Sequence, residues 1–162
     1  MGLSAGQLRK LIIRDTLEEL GDWSPAAENL LMGTAAQESG LGVRIKKGRS
    51  LGIYLISPAA HRAVWDKYLV DHPELASTVR GLAGQRSFLK NPQNELVTNL
   101  KYATAIAWLV YKRCGHPLPE NASPEELARY WYRHFHRRPN GRLEDFLRNY
   151  HQRVAPAPTL VA

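Results

Sequence analysis

The chain is almost without cysteine: among 162 residues only Cys114 carries a thiol, so no intramolecular disulfide can form and a disulfide-stapled scaffold is excluded. It has no apolar run near the roughly 18 residues of a membrane span. Its N-terminus lacks the charged-then-apolar pattern of a secretory signal. The expectation is a protein made in the cytoplasm, with no signal peptide and no membrane contact. Acidic residues are the scarcer charge, 15 Asp and Glu against 22 Lys and Arg, and the resulting +7 favours an anionic partner. Cell-wall polymer, nucleic acid and a membrane surface all meet that condition. Cys114 has no histidine or carboxylate spaced to activate it, which points to packing. The six histidines show no ligand spacing, and His134 and His136, two apart, diverge by about 200° on a helix. Neither metal nor cofactor is expected.

What is present is helix punctuation. Ser24-Pro25, Ser57-Pro58, Asn91-Pro92 and Ser123-Pro124 each set a capping side chain before a proline whose missing N–H costs nothing in a first turn. Ser123 with Glu126 and Ser4 with Gln7 have capping-box spacing, the latter opening an N-terminal helix to about Leu20. From Pro92 to about Arg113 runs the longest helical pattern, with Leu96, Leu100, Ala103, Ala107 and Val110 on one face, and it is expected to be central. Amphipathic patterns follow over Pro124 to Phe135 and Leu143 to Tyr150. No linker or repeat appears, so a single all-α domain is expected over residues 1–152, with at most one short hairpin turning near Lys47-Gly48. The Pro/Ala-rich residues 153–162 read as an extended tail.

The stretch Ser24 to Ala60 carries the chemistry. A helix starts at Ser24-Pro25 and ends at Gly40, and Leu30, Leu31, Thr34, Ala35 and then Glu38 recur at helical spacing. Glu38 therefore points where the core should be, while spacing alone also allows a solvated glutamate at the rim of the last turn. Desolvation and the negative end of the helix dipole both disfavour its charged form, as suits a general acid.

The pairing of A-A-Q-E-S-G (Ala35 to Gly40) with G-I-Y-L-I-S-P-A-A (Gly52 to Ala60) resembles the soluble lytic transglycosylases, which have a goose-lysozyme-like fold. The continuation His61, Trp65, Tyr68, Leu69 is most similar to phage-encoded members, and the likeness extends weakly from about Leu30 to Tyr150. It implies a lysozyme-like helical domain that cleaves peptidoglycan. Glu38 would be the single catalytic group, with Ser39, Gly52, Tyr54, Leu55, Asn99, Tyr130, Phe135 and His136 around the substrate. The family pattern has Gln where this chain has Leu55, and a Tyr-Asn pair where it has Phe135 and His136. In the implied reaction Glu38 protonates the oxygen between N-acetylmuramic acid and N-acetylglucosamine. It then takes a proton from the sugar's own 6-hydroxyl, closing a 1,6-anhydro ring without metal or cofactor. A hydrolytic muramidase would need a second carboxylate, for which Asp66 and Glu95 are the candidates. Two other readings stand beside the enzyme. One is a structural component of a phage virion or tail, bound to other virion proteins and with little catalysis. The other is a basic nucleic-acid binder using Lys46, Lys47, Arg137 and Arg138, although no recognition helix or clustered basic face is evident.

Overall fold

Each Ser/Asn-Pro pair opens a helical turn. In the computed structural model, which describes residues 2–135 and 141–155, Ser24 Oγ accepts from Ala27 N and Ser57 Oγ from Ala60 N. Asn91 Oδ1 accepts from Asn94 N, and Ser123 with Glu126 closes a reciprocal capping box. The helical runs are α1 (5–19), α2 (Pro25–Ser39), α3 (58–71), α4 (Pro73–Leu82), α5 (Gln85–Lys90), α6 (92–98), α7 (Leu100–Arg113), α8 (Pro124–His134) and α9 (143–154). The only sheet among the described residues is an antiparallel hairpin of β1 (Lys46–Lys47) and β2 (Ser50–Leu51). Its register pairs Lys46 with Leu51 and Lys47 with Ser50. Gly48, at φ 58°, begins the two-residue turn where a left-handed residue is required. The protein is therefore mainly helical with one short hairpin, as expected. The last helix runs to Val154, two residues beyond the expected domain end, and the rest of the expected tail, 156–162, lies outside the described residues. None of the described helices is long and apolar enough to cross a membrane.

Two differences from the sequence reading position the site. The expected helix from Pro92 to Arg113 is interrupted at Asn99, whose backbone is extended at φ −123° and ψ 96°. Asn99 spends its whole side chain locally. Oδ1 caps Tyr102 N at 3.0 Å, while Nδ2 donates to Leu82 O at 2.8 Å and to Glu95 Oε2 at 2.9 Å. An asparagine that can satisfy its own neighbours' backbone competes with helix continuation, so α7 starts afresh behind it. Central packing does hold for α7, where every residue from Tyr102 to Leu109 is buried.

The second difference is α2, which is buried on nearly all sides, leaving only Pro25, Asn29 and Gln37 partly or fully accessible. A helix covered all round needs neighbours all round, and α1, α7, α8 and α9 supply them. Gly33 makes one approach possible, because a Cβ there would lie 2.4 Å from Phe146 Cζ of α9. The face of α3 is fastened to α7 by a polar cluster. Trp65 Nε1 donates to the Tyr102 hydroxyl at 2.9 Å, so the phenol proton goes to His61 Nε2 at 2.6 Å and Nδ1–H donates to Gln93 Oε1. Burial lowers the His61 pKa, the Gln93 bond opposes it and Arg62 adds to the drop, which keeps the ring neutral.

Candidate functional site

The end of α2 is built by backbone geometry. Gly40 closes the helix in the left-handed conformation (φ 62°), Leu41 and Gly42 are also left-handed, and Gly40 N–H returns to Ala35 O and Ala36 O. Ser39 fixes the next segment to this end: its hydroxyl donates to Ile53 O at 2.6 Å and accepts from Gly42 N at 2.9 Å. The Glu-Ser-Gly motif and the Gly52–Ala60 motif are thus one structural unit, joined through Ser39. Gly52 is needed twice over. Its φ is 85°, and a Cβ would stand 2.0 Å from Leu96 O of α6.

Glu38, one residue before Ser39, is buried at 4% exposure, and its Oε1 accepts from Trp131 Nε1 of α8 at 3.1 Å. Thr34, one turn earlier on the same face, donates to Leu30 O and accepts from the Tyr111 hydroxyl of α7 at 2.7 Å. Burial pushes the Tyr111 phenol up, the Thr34 bond opposes this, and the Glu38 charge raises it further, so Tyr111 stays protonated beside that carboxylate. The carboxyl therefore sits among an indole donor, a neutral phenol and a threonine, at a helix end whose dipole is negative. What the arrangement offers chemically is a single buried carboxyl held by an indole N–H, the kind of group that general acid–base catalysis uses.

The other residues implied by the resemblance are placed unevenly. Tyr54 is fully buried and donates to Thr104 Oγ1 at 2.8 Å, so its phenol serves packing between the motif and α7. Leu55 is 2% exposed and left-handed at φ 45°, a conformation that costs a non-glycine residue roughly 1–2 kcal/mol. Asn99 is spent on the α6–α7 break. Tyr130 turns its hydroxyl to His116 O at 2.7 Å, toward the loop that follows α7. Phe135 lies 5.2 Å from Tyr111, ring centre to ring centre and tilted by 35°, and walls a cleft of about 490 Å³. His136, with Arg137 and Arg138, lies outside the described residues. Phe135 and Tyr130 thus both pack against Tyr111, at 5.2 Å and 5.4 Å, although the Tyr130 hydroxyl is turned away to His116, while Asn99 is engaged elsewhere.

The two muramidase candidates differ sharply. Asp66 is exposed. Glu95 is 2% exposed and accepts from Ser87 Oγ, Asn99 Nδ2 and Gly84 N. Burial would raise its carboxyl, but those bonds and Arg80 outweigh it and lower the pKa, the state of a charged structural tie.

Trp131 and Tyr111 are the site residues the sequence reading took for core aromatics or left out. The available signal was Thr34, a polar residue at a core-facing position one turn before Glu38, which demands a partner from another helix. No group of three or more potential metal-binding side chains occurs among the described residues. No family model, curated protein or solved structure matches the chain.

Proposed function

We propose that the protein is a peptidoglycan-cleaving lytic transglycosylase, of the kind phages encode, with Glu38 as its single acid and base. The observation that carries this reading is the setting of Glu38: a buried carboxyl at the negative end of α2, touched by the Trp131 indole and joined through Ser39 to the Gly52–Ala60 segment. Glu38 first donates its proton to the glycosidic oxygen between N-acetylmuramic acid and N-acetylglucosamine. The C1–O bond breaks, the carboxylate removes the proton of the 6-hydroxyl, and that oxygen bonds to C1. One carboxyl thus serves both steps, and the substrate's own hydroxyl replaces water. A retaining or inverting hydrolase would need a second carboxylate beside the sugar, and Glu95 is instead tied to Ser87, Gly84 and Asn99.

A second reading is favoured by Leu55, Asn99 and Tyr130. Leu55 stands where the resembled pattern has Gln and is buried at 2% exposure, and the Asn99 and Tyr130 polar groups serve the fold. On that reading the protein is a virion or tail component of lysozyme-like build with little turnover. Mass analysis of purified sacculi after incubation separates the two. 1,6-Anhydro ends are the expected result, reducing ends would mean a muramidase, and intact sacculi would favour the structural component.

A further inference from the structure

Between Gly40 and Gly52 the chain alternates aliphatic and cationic side chains, Val43, Arg44, Ile45 and Lys46, and continues with Lys47 and Arg49. That segment contains no aromatic ring, and no Asp or Glu occurs from Ser39 to Trp65. All four cations are exposed. So are the two aliphatics, Val43 at 55% and Ile45 at 40%, in a protein whose core takes in Ile13, Ile53, Ile56, Ile106, Val64 and Val79. Leu3, 41% exposed, joins them: its N–H donates to Leu41 O at 2.7 Å, and a Cβ on Gly42 would stand 3.5 Å from its Cγ. Arg153 of α9 brings a further cation, its Nη1 donating to Gly40 O at 3.4 Å. The backbone holds this tip in place. Arg44 N–H donates to Ser39 O at 3.1 Å, Gly52 N–H donates to Ile45 O at 2.9 Å, and β1 pairs with β2 between them. Val43 and Ile45 are therefore presented outward by a fixed loop rather than left over by a loose one.

Arg44, Lys46 and Arg49 form no ion pair among the described residues. Exposed aliphatics set among unopposed cations match a surface that is anionic outside and apolar beneath. Nucleic-acid phosphates would leave Leu3, Val43 and Ile45 unused, and unpaired bases or sugar rings call for a stacking aromatic that the tip lacks. We propose that this tip docks the protein on an anionic phospholipid bilayer, with the cations at the headgroup phosphates and Val43, Ile45 and Leu3 in the acyl boundary. The expectation of no membrane contact rested on the lack of a spanning run, and a surface contact needs none. Because the tip grows directly from Ser39, a docked molecule holds the Glu38 end of α2 toward the bilayer. The proposal needs no turnover and stands apart from the peptidoglycan reading.

The test is cosedimentation of the full chain with vesicles of phosphatidylcholine alone and of phosphatidylcholine with about one-third phosphatidylglycerol. Binding is expected to the anionic vesicles only. Lys46→Gln and Arg49→Gln should each weaken it about fivefold, the worth of one cation at such a surface. Val43→Ser combined with Ile45→Ser should weaken it roughly tenfold by withdrawing apolar area from the boundary. Val43→Trp should instead strengthen it, so the proposal does not depend on losses alone. Lys67→Gln with Arg113→Gln, which removes the same charge at a distance from the tip, should leave partitioning within about twofold of wild type. No binding to anionic vesicles, equal binding to neutral ones, or an equal loss from the distant pair overturns the proposal. Indifference to Val43→Ser/Ile45→Ser overturns it too, since charge attraction alone would then suffice. Tighter binding of an oligonucleotide than of the anionic vesicles would assign the cations to nucleic acid. A dimer in sedimentation velocity that Val43→Ser/Ile45→Ser dissolves would assign the aliphatics to a second copy, and either result overturns the lipid assignment.

Discussion

Helix α2 carries a buried glutamate at each end, and the two are partnered in different ways. Glu28 lies in the first turn, 3% exposed, and Glu38 in the last, 4% exposed. Glu28 accepts from Arg14 at 2.6 Å, Arg9 at 2.7 Å and Trp23 Nε1 at 3.0 Å, at the end where the dipole is positive. Burial would raise its carboxyl, but the bonds from Arg14, Trp23 and Arg9 outweigh it and hold it at about 2. It is a permanent anion that pins α1 to α2. Glu38 meets the Trp131 indole and the neutral Tyr111 phenol at the end where the dipole is negative. Burial alone therefore does not decide what a carboxyl does, since two glutamates on one helix, equally buried, have opposite partners and opposite ends of the dipole.

The strongest way to break this comparison is to remove each acid in turn. Glu38→Gln should cut sacculus cleavage by about 10²- to 10⁴-fold, the usual worth of a general acid, with the melting temperature unchanged. Glu28→Gln should do the reverse. It should cost about 2–3 kcal/mol of stability by leaving two guanidinium groups without their anion, while the folded fraction keeps its activity. Undiminished lysis by Glu38→Gln would remove that residue from the mechanism.

Acid titration sharpens the same contrast. Because the folded state holds Glu28 at about 2 against an ordinary 4.5, its contribution is complete above pH 4.5 and is lost as pH falls toward 2. Melting temperature followed across that window should drop in the wild type and drop less in Glu28→Gln. Parallel curves would show that the Arg9–Glu28–Arg14 cluster adds no pH-dependent stability.

The smallest expected effect tests the Glu38 environment rather than the acid itself. Trp131→Phe keeps a ring against Phe146, which lies 5.4 Å away, but removes the only N–H that Trp131 gives to Glu38. Stability should fall by about 1 kcal/mol, and kcat/KM should fall roughly fivefold if that bond orients the carboxyl. A variant as active as the wild type would reduce Trp131 to a packing residue.

The sequence by itself determined the features that depend on neighbours in the chain. The Ser/Asn-Pro starts, the Ser123–Glu126 box, the Gly40 stop and the turn at Gly48 all appear where capping and turn chemistry put them, because each is decided within three or four residues. Helical spacing pointed Glu38 inward but left a solvated rim position open, and packing decided its 4% exposure. Short helices α4 and α5 were not read, since their apolar patterns are brief and their ends carry no Ser/Asn-Pro pair. Tertiary structure decided which polar groups remain for a substrate. Asn99 looked like part of a continuous helical face until Glu95, Leu82 and Tyr102 claimed its side chain, and Tyr130 lost its hydroxyl to His116. Trp131 reaches Glu38 across 93 positions and Tyr111 reaches Thr34 across 77. No periodicity records such pairings, because a buried polar atom must find its partner in whichever helix the packing brings alongside.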